Sequence, residues 1–383
     1  MFKNKYVTYV INTPDKGFNV ERRYSDFLAL RQEMTRDYPG YIIPPIPIKK
    51  LTGNTEPEFI QKRKAELQMF LDSVLKHPLI KNYELFYKFV SLSGKEWEER
   101  AKLIGKILVT REVCHFETIE GQAKVLYSDR TTSYCNRLQA SVKDLKELYQ
   151  ELKESNEAIS STYEKLSLLL TKTGLLYQKV GAIYSNLDSS ICAELFMHMY
   201  DGHSKLGNVY RKLREDYLTK LVDYYSFHGN EMVAVEELLL RRKTAGEHME
   251  SLEKKLFKKK EQKFDMKNTA TWELESSALA NIGAIMSDKN LALQEMFPKE
   301  SAELRRTKMI YGYYSNKIVE QFGKLLIRNE SQYKTQFEKA VYNCIEREAD
   351  LAEIWDDTLK NLKKVKLISP TDAFEEAVSV VQS

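Results

Sequence analysis

The sequence predicts a small α+β domain over residues 1–93 followed by an all-α region of three long helices, and three observations predict it. Seven of the nine prolines (Pro14, Pro39, Pro44, Pro45, Pro47, Pro57 and Pro78) fall before residue 80. A chain that then avoids the strongest helix breaker as far as Pro298 is predicted to be helical there. Alternating β-branched and aromatic residues occur only near the start, in KYVTYVIN (5–12). Farther on, Leu138, Val142, Leu145, Tyr149, Leu152, Ile159, Tyr163, Leu166 and Leu170 recur at steps of four and three, with Asn156 in the one missing place. That 3.5-residue period belongs to helices that wrap around other helices.

In the first domain, KYVTYVIN reads as a strand, PDKG (14–17) as a turn and FNVERRY as the returning strand. Ser25-Asp26 is predicted to cap a helix running from Phe27 to about Tyr38. IIPPIPIKK (42–50) must be extended, because each proline disfavours helix for the residue before it. A second helix starts near Glu58, with Phe59, Leu67, Phe70, Leu71 and Val74 on one face, and a third lies in LIKNYELFYKFVSL. Residues 94–117 are an amphipathic linker in which Trp97, Ile104, Ile107 and Leu108 share a side; packing explains that face more readily than lipid insertion. Helices are expected over about 118–187, from the LDSS break (187–190) to about 264, and from Pro298 to about 365, with a tail at 369–383. Helices this long predict an elongated, dimeric coiled-coil bundle, since one chain cannot bury all their apolar faces.

Net charge is +4, but residues 1–90 hold 15 Lys+Arg against 10 Asp+Glu, so the basic excess sits at the head of the chain. A basic head implies an anionic partner, lipid surface or nucleic acid. The four cysteines form no Cys-x-x-Cys pair and read as reduced thiols of a cytosolic protein. The N-terminus lacks the apolar stretch of a signal peptide, and no apolar run is long enough to span a bilayer, so any membrane contact would be peripheral. A phosphate-binding glycine loop, Gly-x-Ser-x-Gly and His-Glu-x-x-His are all absent, and His198 and His203 are not on one helical face. The reading is therefore of a non-enzyme with no cofactor, metal or small-molecule substrate.

The most informative segments are Arg22-Arg23-Tyr24-Ser25-Asp26-Phe27, the proline loop ending in Lys49-Lys50, and Phe59-Ile60-Gln61-Lys62-Arg63. Guanidinium forks bind phosphate oxygens in paired, charge-assisted hydrogen bonds, and lysine adds a mobile point charge. Arg22 is predicted to be structural, since adjacent strand residues face opposite sides. In content and order these three motifs resemble the PX family. The helices that follow are similar to the BAR domains of sorting nexins, the endosomal recycling and autophagy subgroup above all, through DYLTKLVDYYSFHGNEMVAVEELLLRRKTA. The resemblance implies a PX domain at 1–93 and a BAR domain at 118–368. PX domains also have a strand ahead of the one starting at Lys5, which this chain begins too late to supply fully.

The resemblance further implies that Arg23 grips the 3-phosphate of phosphatidylinositol 3-phosphate, Tyr24 packs on the inositol and Ser25 adds a phosphate contact. Lys49 would meet the 1-phosphate, and Arg63 the ring hydroxyls. Ile46 and Ile48 on the loop would touch the bilayer. The lysine cluster at 254–267, including Lys254, Lys255, Lys258, Lys259, Lys260 and Lys263, is either a solvated face or a membrane-contacting tip. Arg211, Lys212, Arg214, Arg241, Arg242 and Lys243 are weaker candidates for a lipid-facing surface, and Trp272, Leu279, Ile282 and Met286 for a second wedge.

The implied function is endosomal: a cytoplasmic, peripheral membrane protein, homodimer or heterodimer with another sorting nexin, that senses or induces curvature in protein transport. A coiled-coil endosomal scaffold or tether that does not bend membrane is the alternative. Nucleic-acid binding leaves the proline loop without a purpose and is set aside.

Overall fold

The computed structural model describes residues 7–49, 56–107, 129–187, 189–263 and 297–367. Strands β1 (Thr8–Thr13) and β2 (Phe18–Arg23) pair antiparallel, with Ile11 opposite Val20 and Thr8 opposite Arg23. The turn between them is a short 3-10 segment, Pro14–Lys16, closed by Gly17 at φ 66°, a left-handed conformation that glycine adopts without a Cβ clash. Helix α1 (Tyr24–Asp37) follows without a break. It starts earlier than Ser25-Asp26 capping would allow. The Asp26 carboxylate instead accepts from the Arg23 backbone N–H at 2.7 Å, and exposed Ser25 lies within the first turn. An acid three residues into a helix can reach back to the free donor at its start, which moves the boundary upstream.

After the extended proline loop come α2 (Pro57–Lys76), α3 (Glu84–Ser91) and α4 (Gly94–Ile107). Proline at the first position of α2 costs no hydrogen bond, since that N–H would lack a helical partner anyway. One apolar core joins these elements: Tyr9, Ile11 and Val20 from the hairpin, Phe27, Leu30 and Met34 from α1, Phe70 and Val74 from α2, and Phe89 from α3. Trp97 of α4 is buried in the same core, its ring 5.0 Å from Phe89, so this linker residue packs and does not face lipid. The side chains of Ile104, Ile107 and Leu108 lie outside the described residues, as do residues 1–6, the 264–296 segment with Trp272, Leu279, Ile282 and Met286, and the tail at 369–383.

The long helices are α5 (Asp129–Asn186), α6 (Ser190–Tyr217), α7 (Asp223–Lys263) and α8 (Pro298–Lys364). The single second helix expected from the sequence is divided. Leu218–Val222 form a π turn between α6 and α7. Such a turn misplaces one backbone carbonyl from the α ladder. The side-chain amide of Gln336 on α8 donates to the carbonyl of Lys220, which supplies a partner there.

The chain divides into two units. The first comprises residues 1–148 and 227–328 and so holds the α+β domain together with the start of α5, nearly all of α7 and the first part of α8. Arg242 is buried within it, bonded to Ser315 at 2.8 Å and Thr132 at 3.3 Å, with its guanidinium over the Tyr311 ring. Arg241 donates to the Pro39 carbonyl. Both arginines are thus engaged inside the fold, contrary to a lipid-facing role, because each finds fixed acceptors that outcompete water. Buried His228 and Glu231 meet at 2.8 Å, and Arg328 bonds the other carboxylate oxygen.

The second unit comprises 149–226 and 329–383. Its α5 seam is made of small residues seven apart: Ser160, Ser167, Gly174 and Gly181. Small side chains let backbones approach closely. Ser167 Oγ bonds the Gly207 carbonyl at 2.7 Å, and a Cβ on Gly207 would come within 2.6 Å of Thr171. The apolar positions of the 3.5 period are divided: Leu138 and Val142 are buried, Leu166 and Leu170 half-buried, and Leu152 and Ile159 exposed, while outside that period Leu169, Leu176 and Ile183 form a further exposed row. Among the described residues no helix is long and apolar enough to cross a membrane.

Candidate phosphoinositide site

The end of β2 presents two arginines to opposite sides. Arg22 is fully buried, its guanidinium bonded to the carbonyls of Phe89 (2.9 Å), Glu21 (2.8 Å) and Leu92 (2.6 Å) and lying over the Phe89 and Trp97 rings. Burial pulls its pKa down, while nearby Asp26 acts the other way. It ties the strand to the end of α3 and the start of α4. Arg23 faces out, its side chain 39% exposed, and pairs with Glu98 of α4 at 3.2 Å.

Tyr24, the first residue of α1, joins the two other motifs. Its hydroxyl donates to the Pro47 carbonyl at 2.6 Å, and its ring lies 4.4 Å from the Arg63 guanidinium. Burial raises the Tyr24 phenol above its ordinary pKa, with the Arg63 charge opposing, so it remains a donor at neutral pH. Arg63, on α2, is only 5% exposed and sits between the rings of Tyr24 and Phe59, the latter at 4.3 Å. Its Nε and Nη2 are buried without a hydrogen-bond partner among the described residues. Its charge also bears on the Tyr9 phenol, which burial raises and Arg63 draws back.

Ser25 and Lys49 are both exposed, and Lys49 follows two residues after the carbonyl that Tyr24 holds. The apolar loop is not a uniform lip. Ile43 is buried, Ile46 packs half-buried against the domain core, and Ile48 is 77% exposed. Ile46 thus divides its side chain between the core and the surface, and Ile48 is the more outward of the two.

On α7, Lys254, Lys255, Lys258 and Lys259 are exposed along with acidic neighbours Glu247 and Glu250, and Lys259 pairs with Glu300. The side chains of Lys260 and Lys263 lie outside the described residues.

Three residues of consequence carry no local sequence signal. Glu98 reaches Arg23 across 75 positions, and Glu237 and Arg241 meet the proline-loop region across about 200. Nothing in the spacing of an isolated chain marks such pairs.

A family profile for the PX domain matches residues 11–93. Over 105 residues the chain is 39% identical to sorting nexin C1711.11 of Schizosaccharomyces pombe, covering 24% of this chain and 26% of that protein. It is 37% identical over 103 residues to sorting nexin MVP1 of Kluyveromyces lactis, covering 25% and 20%. The match to vacuolar protein sorting-associated protein vps5 of S. pombe is 41% over 71 residues, covering 18% and 12%. The aligned stretch thus spans about a quarter or less of these relatives. The solved structure of the SNX-BAR Mvp1 tetramer is similar over 94% of this chain and 96% of that one, with a TM-score of 0.66 at 16% identity. Residues 11–93 are a PX domain, and the long helices that follow give the chain the fold of a PX–BAR sorting nexin.

Proposed function

We propose that this chain is a non-enzymatic, peripheral membrane protein that recognises phosphatidylinositol 3-phosphate on the cytoplasmic face of endosomes and acts in membrane sorting. The observation that carries the reading is Arg63, a buried guanidinium held between two aromatic rings, with two nitrogens that meet no well-aligned acceptor among the described residues beyond the nearby Tyr9 phenol. An unspent buried donor is costly, and hydroxyl or phosphate oxygens of an inositol headgroup would relieve that cost. Arg23 at the strand end, exposed Ser25 and exposed Lys49 supply further polar contacts around Tyr24. Exposed Ile48 offers an apolar residue for the bilayer beside the charged site, and pairing the two strengthens attachment.

The exposed row Leu169, Leu176 and Ile183 on α5 supports association with a second long-helix chain, identical or related. Such an assembly, with lysines at the end of α7, would sense or impose curvature. A scaffold that binds lipid without bending it is the second reading, favoured by the Glu300 partner of Lys259, which takes one charge out of the cluster. Flotation with vesicles carrying each phosphoinositide in turn tests the lipid assignment. Selective flotation with phosphatidylinositol 3-phosphate is expected, and equal binding to all headgroups would defeat it.

A further inference from the structure

The proline loop lacks a backbone donor at three of its central positions. Prolines 44, 45 and 47 have no backbone N–H, so the segment cannot organise itself through a ladder of its own. Its carbonyls are nevertheless held. Pro47 accepts from Tyr24 inside the PX domain, Pro44 accepts from Arg31 Nε at 3.0 Å, and Pro39, at the loop's entrance, accepts from Arg241 Nη1 at 3.0 Å. Arg241 belongs to α7, not to the PX domain.

Arg31 itself is oriented from α7. Its two terminal nitrogens bond the two carboxylate oxygens of Glu237 at 3.1 and 2.9 Å, which leaves Nε aimed at Pro44. A planar guanidinium forked onto a carboxylate has one orientation, so fixing Glu237 fixes the third donor too. The loop entrance is seated against α8 as well. Tyr41 lies 4.8 Å from the Lys317 ammonium, and a Cβ on Gly40 would come within 2.5 Å of the Tyr313 ring. These contacts all lie within one unit of the structure.

We infer that Arg31 is a positioning residue for the lipid-facing loop, and that two residues of the helical region, Glu237 through Arg31 and Arg241 through Pro39, set the pose of Ile48. The PX pocket would then meet soluble headgroup on its own strength, while stable seating on a bilayer would need the helical region's clamp. This rests on the membrane reading above for its consequence, but the clamp itself does not.

The experiment uses the full chain with Glu237→Ala, Arg31→Lys and Arg241→Ala, each measured three ways. Without lipid, hydrogen exchange at the amides of residues 40–43, 46, 48 and 49 should quicken by about tenfold in each variant, since a released loop opens locally. Affinity for soluble inositol 1,3-bisphosphate should stay within about twofold of the parent, because Arg23, Tyr24 and Arg63 are unchanged and Lys49 contributes only a mobile point charge. Affinity for phosphatidylcholine vesicles doped with phosphatidylinositol 3-phosphate should fall about tenfold, the scale of losing one apolar anchor. Arg31→Lys is the discriminating variant: it keeps the charge but cannot bond Pro44 and both oxygens of Glu237 together. Unchanged exchange in Glu237→Ala and Arg31→Lys overturns the clamp. Quickened exchange with unchanged vesicle binding, or with headgroup and vesicle affinity falling in parallel, overturns its role in seating the loop. A parent chain that ignores the doped vesicles sinks the membrane reading instead, and the exchange result still decides the clamp.

Discussion

Arg23 and Glu98 face each other at 3.2 Å, so in the lipid-free chain the outward arginine of β2 is paired with a carboxylate from the helix that follows the PX domain. A phosphate approaching Arg23 must compete with that carboxylate. Both side chains are well exposed, at 39% and 55%, so the pair is worth about 0–1 kcal/mol. Glu98→Gln is expected to tighten headgroup binding by up to about fivefold at low salt, an advantage that shrinks as salt screens the pair. Calorimetry with soluble inositol 1,3-bisphosphate at two salt concentrations measures it, and weaker binding in the variant would show that Glu98 supports the site.

The neighbouring arginines should separate cleanly by phenotype. Arg22→Ala removes the donor for three carbonyls and empties a packed site beside Phe89 and Trp97, a loss of about 3 kcal/mol in stability. Arg23→Ala should change stability by less than about 0.5 kcal/mol while abolishing flotation with phosphatidylinositol 3-phosphate vesicles. Urea unfolding alongside flotation tests both, and the assignment fails if Arg23→Ala vesicles still float.

His77 gives the fold a pH dependence of known sign. Its Nδ1 accepts from the backbone N–H groups of Leu79 (3.3 Å) and Ile80 (3.1 Å), contacts that only an unprotonated nitrogen can make. Burial lowers its pKa first, the charges of Lys324 and Arg328 push the same way, and a bond with Gln321 opposes them. A histidine whose folded pKa lies below its unfolded value of 6.5 contributes fully above that value. Its contribution is lost as pH falls from there towards the folded pKa. The parent should therefore lose stability faster than His77→Asn as pH falls below 6.5. Unfolding curves across that range check it, and parallel curves would exclude His77 as the source.

The exposed row on α5 predicts assembly. Leu169→Glu, Leu176→Glu and Ile183→Glu together remove about 2 kcal/mol of burial per residue from an interface and add three charges to it. Sedimentation should show the parent associated at micromolar concentration and the triple variant as a monomer with unchanged helix content. A parent that sediments as a monomer would leave the row without a homotypic partner.

The α7 lysines are tested by reversing Lys258, Lys259 and Lys260 to glutamate, which should cost about 1 kcal/mol per charge near an anionic bilayer. Headgroup selectivity should persist, since Arg23, Lys49 and Arg63 are unchanged, while vesicles should stay round under electron microscopy. Tubulation equal to the parent's would leave the cluster as a solvated face.

What the sequence determined by itself was local. Alternation gave the β1–β2 hairpin, and avoidance of proline gave the long helices. A basic-basic-tyrosine strand end, a proline loop and Phe-x-x-x-Arg gave the PX resemblance, because period and turn chemistry act within a few residues. Tertiary structure decided which neighbour each side chain met. Arg22 was separable from Arg23 by strand alternation, but Glu98 beside Arg23 was not legible, nor was the burial of Arg63 under Tyr24. The partial packing of Ile46 on the core and the recruitment of Arg241 to Pro39 were equally hidden. The α5 stripe marked a coiled surface but not its layers: serines and glycines seven apart took the intrachain seam, while Leu152 and Ile159 of the expected stripe stayed outside. Long-range pairs depend on where separate elements dock, and that follows from packing many residues at once, which no local spacing encodes.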